Sequence, residues 1–134
     1  MREIHVDGGA FIEPPDYIFR NAYFSVVNEQ GTLIHSDKSL GDVYSGVAEY
    51  EAIKWAAKNI KERPLKIYSD CITAIAWVRK GAHTKKHHLP PIDLTGIIVE
   101  YKKKNLADQY NEKYISPKYD PSYYYKRWVA KGRI

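Results

Sequence analysis

Three acidic residues occur in separate short patterns of this sequence, and their placement limits the folds that the chain can adopt. Asp7 ends a stretch at residues 2–7 whose side chains alternate between apolar and polar, as in a strand. Asp70 directly follows a second predicted strand at residues 65–69. In sheets with parallel pairs, ligands gather beyond the carboxyl ends of the strands. If these two strands are neighbours, Asp7 and Asp70 lie side by side at one edge of a sheet.

Glu49 is the third acid, and helix geometry predicts that its side chain points inward. At about 100° per residue, Glu51 lies on nearly the opposite side of the predicted helix. Glu49 instead shares a face with apolar residues, namely Ala52, Ile53, Ala56 and Ile60. An ionised carboxylate on an apolar face is costly unless a positive charge meets it, and no Lys or Arg lies one turn away on that face. Glu49 is therefore predicted to reach towards Asp7 and Asp70.

The order of predicted elements indicates an α/β fold with a mixed sheet. Strands are expected at about residues 2–7, 18–27, 32–38 and 65–69, and helices at about 44–62 and 70–78. Ser45 is the expected N-cap of the first helix, and Pro64 is expected to stop it. In the C-terminal half, residues 91–101 suit a third helix and residues 109–115 a fifth strand, while the Tyr-rich tail after Pro117 has no clear period. The 134 residues are expected to form one domain.

Composition narrows the partners and the compartment. The formal net charge of +5 is compatible with a polyanionic substrate, although mild basicity also serves solubility alone. The single cysteine, Cys71, excludes an internal disulfide framework and fits a reducing compartment. No apolar run approaches the roughly 18 residues of a membrane span. We expect a cytoplasmic protein that does not associate with a membrane.

Three converging carboxylates predict a metal site. Like charges at close range raise one pKa unless a cation neutralises them. Oxygen ligands without Cys or His partners favour Mg²⁺ or Mn²⁺ over Zn²⁺. Taken singly, each acid also has a structural interpretation: Asp7 as a turn residue before Gly8-Gly9, Asp70 as an N-cap, and Glu49 as a buried, hydrogen-bonded acid.

These residues resemble the motifs of type I ribonuclease H and the wider ribonuclease-H-like superfamily. The resemblance rests on Val6-Asp7-Gly8-Gly9, Ala48-Glu49-Tyr50-Glu51-Ala52-Ile53 and Ile67-Tyr68-Ser69-Asp70, in this order. It implies a ribonuclease-H-like sheet of five strands, three antiparallel and then parallel strands with crossover helices. It also implies an endonuclease that hydrolyses the RNA strand of RNA:DNA hybrids, with two Mg²⁺ ions held by Asp7, Glu49 and Asp70.

The sequence departs from the family pattern at the fourth acid. The family has a fourth Asp on a C-terminal helix, within an Asn-x-x-Ala-Asp type motif. Asp108 in Leu106-Ala107-Asp108 imitates this motif, but only 38 residues separate it from Asp70; Asp120 has better spacing in an unrelated context. The fourth ligand is therefore Asp108, Asp120 or absent. No His follows His88, so the histidine that assists proton transfer in the family has no counterpart here unless His87 or His88 substitutes for it.

Predicted substrate contacts lie on both sides of the acids. Gly8 and Gly9 lack a Cβ, so their backbone can approach a substrate closely. Ser45 lies where the family has polar amides that read the hybrid, and Lys85 and Lys86 form a basic run able to neutralise phosphates. That run is equally compatible with a solvated loop. Two alternative functions stay open: a catalytically weak or inactive hybrid-binding module, and a structure-selective DNA nuclease of the same superfamily.

Overall fold

The elements of the fold follow the predicted order through the first two thirds of the chain. The protein, analysed as a computed structural model, is described for residues 1–13, 18–83 and 88–115. Its elements in chain order are β1 (Arg2–Glu13), β2 (Ile18–Asn28), β3 (Leu33–Asp37), α1 (Ser45–Asn59), β4 (Leu65–Ser69), α2 (Ile72–Lys80), β5 (Ala82–His83), β6 (His88–Leu89), β7 (Ile97–Tyr101) and α3 (Leu106–Tyr114). No helix in these ranges is long and apolar enough to cross a membrane.

A five-stranded mixed sheet forms the centre of the molecule. Its strand order is β3-β2-β1-β4-β7, with β1, β2 and β3 antiparallel and with β1, β4 and β7 parallel. β5 and β6 form a separate two-stranded ladder. The predicted ribonuclease-H-like α/β sheet is therefore confirmed.

The apolar core lies between one face of this sheet and helices α1 and α2. Alternation in β1 places Ile4 and Val6 on that face, where both are fully buried. They belong to one cluster with residues from the helices and from β4 and β7: Ile53, Ala56, Ile67, Ala74, Val78 and Val99. His5 and Asp7 point to the opposite face, where α3 packs against β1.

Two predictions for the C-terminal half are wrong. Residues 91–101 were expected to form a helix, but Ile97–Tyr101 is the edge strand β7, parallel to β4. Residues 109–115 were expected to form a strand, but most of them belong to α3. The apolar spacing of 92, 94, 97 and 98 suits a helix as well as an irregular segment followed by a strand, so periodicity alone misled. The Tyr-rich tail lies outside the described residues.

The N-terminus of α1 also differs from the prediction. Tyr44, not Ser45, is the N-cap, and its side chain makes no capping hydrogen bond. The helix ends at Asn59, earlier than the expected residue 62. Arg63 donates from its guanidinium to the carbonyl oxygens of Ala57 and Ile60, which satisfies two carbonyls of the last turn.

Candidate active site where the β1–β4 ladder ends

Asp7 and Asp70 lie side by side because β1 and β4 are parallel neighbours in register. Arg2 pairs with Leu65 and His5 with Tyr68, so Asp7 and Asp70 are at the same level where this ladder ends. One carboxylate oxygen from each of Asp7, Asp70 and Asp108 lies within 4.8 Å of the others. The predicted convergence of Asp7 and Asp70 is therefore present, and Asp108 joins them.

Asp108 reaches this position through the cap of α3. The Asn105 side chain accepts hydrogen bonds from the N–H groups of Ala107 and Asp108, at 2.9 and 3.1 Å. In return, the Asn105 N–H donates to Asp108 Oδ2 at 3.0 Å, which completes a capping box. Asp108 is 4% exposed. The 38-residue interval that argued against Asp108 is sufficient because residues 91–101 contain a short strand in place of a crossover helix.

The side chains of Asn105 and His5 also fix α3 against β1 and β4. Asn105 Nδ2 donates to the carbonyl oxygens of Val6 at 3.0 Å and Tyr68 at 3.3 Å. The Leu106 N–H donates to His5 Nδ1 at 3.3 Å. Burial, followed by the charge of Lys102, lowers the pKa of His5, which favours the neutral ring that can accept this bond.

Asn111 holds Asp7 directly and was not predicted from the sequence. Its Nδ2 donates to Asp7 Oδ2 at 2.8 Å and to the Asp7 carbonyl at 3.2 Å. Asn111 is fully buried and lies three residues after Asp108, so both side chains share one face of α3. The sequence contained this i, i+3 spacing, but the erroneous assignment of residues 109–115 to a strand concealed it.

Glu49 approaches the aspartates from α1, on the other side of the strand ends. It is 5% exposed, and its backbone lies where α1 passes close to Gly8 of β1. A Cβ built on Gly8 would lie 2.6 Å from the backbone carbon of Ala48 and 2.7 Å from the Glu49 nitrogen. Gly8 therefore lets the helix approach closely enough for Glu49 to reach Asp7.

Burial and mutual repulsion perturb the protonation of these acids. Burial, and then the charge and close approach of Asp7, raise the pKa of Glu49 well above its ordinary value. Burial, and then the charge of Asp7, raise the pKa of Asp108 to about 10, with a further contribution from Asp70. In the metal-free protein the cluster therefore retains protons that ordinary carboxyl groups release near pH 4.

The donor set fits a divalent metal ion. Asp7 Oδ1 and Glu49 Oε2 are buried and accept no hydrogen bond from any N–H or O–H group of the described residues. Buried oxygens of this kind are costly unless a proton or a cation meets them. The ligand atoms available are carboxylate oxygens, which Mg²⁺ and Mn²⁺ prefer. The acidic group could therefore bind such an ion.

The other predicted site residues are not part of the carboxylate cluster. The α carbon of Gly8 faces the α1 backbone, and Gly9 is buried and pairs with Tyr23 of β2. Ser45 is the first residue of α1 and is partly exposed. Lys85, Lys86 and Asp120 lie outside the described residues. The contacts of these residues with a substrate remain predictions.

Comparison with known proteins supports the fold. No protein-family profile and no curated protein sequence matches the chain. The solution structure of the prototype foamy virus (PFV) RNase H domain is 17% identical, with 81% of this chain and 90% of the viral domain covered, at a TM-score of 0.54.

A second structure, the foamy viral protease-reverse transcriptase in complex with RNA/DNA hybrid, is 18% identical at a TM-score of 0.51. The match covers 84% of this chain and 18% of the viral one. At such identities the likeness concerns the fold. The chain therefore has the ribonuclease-H-like fold that its sequence motifs predicted.

Proposed function

We propose that this protein is a metal-dependent endonuclease that hydrolyses the RNA strand of RNA:DNA hybrids. The observation that supports this most strongly is the convergence of Asp7, Asp70 and Asp108, with Glu49 reaching Asp7 from α1. The fold supports the same class of activity, since a similar structure, that of a foamy viral protease-reverse transcriptase, is in complex with RNA/DNA hybrid. The net charge of +5 suits a polyanionic substrate.

In this proposal the four acids hold two Mg²⁺ ions, for which Mn²⁺ could substitute. Bound divalent ions would supply an activated water and stabilise the leaving oxygen of the phosphodiester. Asp7 is oriented for this role by Asn111, which donates to Oδ2, whereas Oδ1 has no donor among the described residues. Glu49 and Asp108 must lose their protons before they can act as full ligands, so metal affinity should increase with pH.

Substrate contacts follow from the position of the acids at one edge of the sheet. Ser45 at the start of α1 and the buried Gly8 and Gly9 at the end of the β1–β4 ladder stay proposed contacts near the scissile phosphate. Lys85 and Lys86 stay proposed contacts to more distant phosphates. The group of close ligand atoms found among the described residues contains no histidine. In this proposal, proton transfer is therefore assigned to water.

A cleavage assay on a labelled RNA:DNA hybrid tests the proposal. We expect Mg²⁺-dependent cleavage of the RNA strand, reduced at least about 100-fold by Asp70→Asn. Glu49→Gln and Glu51→Gln form a matched pair on the same helix. Glu49→Gln should impair cleavage severely, whereas Glu51→Gln should leave it unchanged because Glu51 is partly exposed and pairs with Lys54 at 4.0 Å.

The same assay separates the alternatives. Hybrid binding without cleavage in Mg²⁺ or Mn²⁺, at enzyme excess, would contradict the proposal in favour of an inactive binding module. Preferential cleavage of duplex DNA over hybrid and duplex RNA, at fixed salt, would contradict it in favour of a DNA nuclease. Wild-type cleavage by Asp70→Asn would contradict the catalytic assignment itself.

A further inference from the structure

Three consecutive lysines, Lys102, Lys103 and Lys104, connect β7 to α3, and all three are exposed. We call them the lysine turn. Lys104 adopts a φ of 51°, in the left-handed region that is unfavourable for a residue with a long side chain. Such backbone positions are concentrated at functional sites.

The lysine turn lies close to two acids of the candidate site, Asp70 and Asp108. At its start, the Lys102 N–H donates to the Ser69 carbonyl at 2.8 Å, and Asp70 is the next residue of that chain segment. At its end, Asn105 caps α3 and donates to Asp108 Oδ2. The parallel pairing of β7 with β4, in which Tyr101 faces Ser69, places the turn at the same edge of the sheet as the acids.

The amino groups of this turn are largely uncommitted. Lys102 Nζ lies 4.9 Å from the centroid of the Tyr68 ring. Lys103 and Lys104 make no ion pair with any carboxylate in the described ranges 1–13, 18–83 and 88–115. Two exposed ammonium groups next to the acidic cluster suit contacts with the backbone phosphates of a polyanion.

We propose that Lys103 and Lys104 form a phosphate-binding subsite for the substrate strand, next to the acidic cluster. This inference rests on the proposed function in one respect, since the ligand is a nucleic acid. Its chemistry is sequence-independent: ammonium groups contact backbone phosphates and release counterions. The competing interpretation is that these lysines only offset the charge of the neighbouring acids in the free protein.

Fluorescence anisotropy of a labelled RNA:DNA hybrid, in EDTA and over a series of KCl concentrations, tests the subsite. The double variant Lys103→Ala/Lys104→Ala should bind about tenfold more weakly at moderate salt. The slope of log K against log salt should decrease in magnitude by about 2, because each lost phosphate contact accounts for about 0.9 of that slope.

The matched control is Lys58→Ala/Lys61→Ala, which removes the same charge near the C-terminus of α1. Lys58 is nine residues from Glu49, about 13 Å along the helix. In this control variant, the slope of log K against log salt should change by less than half as much as in Lys103→Ala/Lys104→Ala. Equal slopes for both double variants, or no change in either, would overturn the subsite. A lower metal-free Tm for Lys103→Ala/Lys104→Ala with a slope equal to that of the control would show that the lysines only offset the acids.

The outcome for the subsite can be separated from that for the proposed function. If the slope depends on Lys103 and Lys104 but no metal supports cleavage, the subsite stands and the hydrolase assignment fails. If the hybrid is cleaved but the two double variants bind alike, the hydrolase assignment stands and the subsite fails.

Discussion

The helices α1 and α3 each bring an acid to Asp7 and Asp70, but different forces position the two helices. α1 has 15 residues and buries a mainly apolar face, so packing against the core positions Glu49. α3 has nine residues, and its three buried residues include Asp108 and Asn111. Hydrogen bonds that Asn105 and Asn111 donate, and one that His5 accepts from the Leu106 N–H, position this helix. One side of this site therefore depends on steric fit, and the other depends on polar contacts.

The steric side of this comparison is tested most severely at Gly8. Gly8→Ala would place a Cβ within 3 Å of the Ala48 and Glu49 backbone, so α1 must move away from β1. We expect a loss of at least about 3 kcal/mol in the free energy of unfolding, measured by urea denaturation. Gly31→Ala is the control: its Cβ would meet open space, and only the φ of 79° is unfavourable, at about 1 kcal/mol. Equal losses for the two variants would contradict close approach at Gly8.

The polar side of the comparison is tested at Asn105. Asn105→Ala removes the cap of α3 and the donor to the Val6 and Tyr68 carbonyls, all in a buried position. We expect a loss of about 2 to 3 kcal/mol by urea denaturation, since a cap and a buried donor are lost together. Asn28→Ala is the matched control, because Asn28 caps an exposed turn through Gln30 and Thr32. A loss no larger than that of Asn28→Ala, about 1 kcal/mol, would show that packing alone holds α3.

The protonation state of Asp108 on α3 can be determined from the pH dependence of stability. The pKa of Asp108 is raised from 3.8 to about 10 in the folded protein, so the folded state retains a proton that the unfolded chain releases. This contribution to stability is complete below about pH 4 and is lost as pH rises towards 10. In Asp108→Asn the side chain cannot ionise, so the variant does not lose this contribution to stability as pH rises.

The measurement is the free energy of unfolding in EDTA at pH 5 and pH 9. Each unit of raised pKa corresponds to about 1.4 kcal/mol. We expect the free energy of unfolding of Asp108→Asn, relative to that of the wild type, to increase by at least this amount from pH 5 to pH 9. An identical pH dependence for the two proteins would mean that Asp108 does not hold a proton in the cluster.

Among these variants, a substitution of Asn111 should reduce stability least, but it should still weaken metal binding. Asn111→Leu has a similar volume but cannot donate to Asp7, so we expect a loss of only about 1 kcal/mol in stability. Mg²⁺ affinity should fall about tenfold, as for other residues that orient a ligand. Isothermal titration calorimetry measures this, with Asn59→Leu on α1 as the control. Unchanged Mg²⁺ affinity in Asn111→Leu would show that the contact is merely structural.

The same contrast explains what the sequence could predict. The position of Glu49 follows from apolar periodicity around a 15-residue helix, and that of Asp70 follows from a strand pattern that ends just before it. The strand expected to end at Asp7 continues to Glu13, because Gly8 and Gly9 keep pairing with β2; only the pairing with β4 ends before Asp7. Asp108 and Asn111 lie on a short helix whose buried face is polar, so no apolar period marks it. The Asn105–Asp108 capping box was the available signal, since it begins a helix at the correct residue. The partners of Asn105 in β1 and β4 are distant in sequence and could not be inferred locally.

In the proposed function, Asp7, Glu49, Asp70 and Asp108 hold divalent metal ions. The most direct test is an anomalous difference map from crystals grown with Mn²⁺. We expect a peak between Asp7, Asp70 and Asp108, within about 2.5 Å of carboxylate oxygens, that disappears in Asp70→Asn. Mn²⁺ peaks that occur only elsewhere on the molecule, with none among these three aspartates, would contradict the claim.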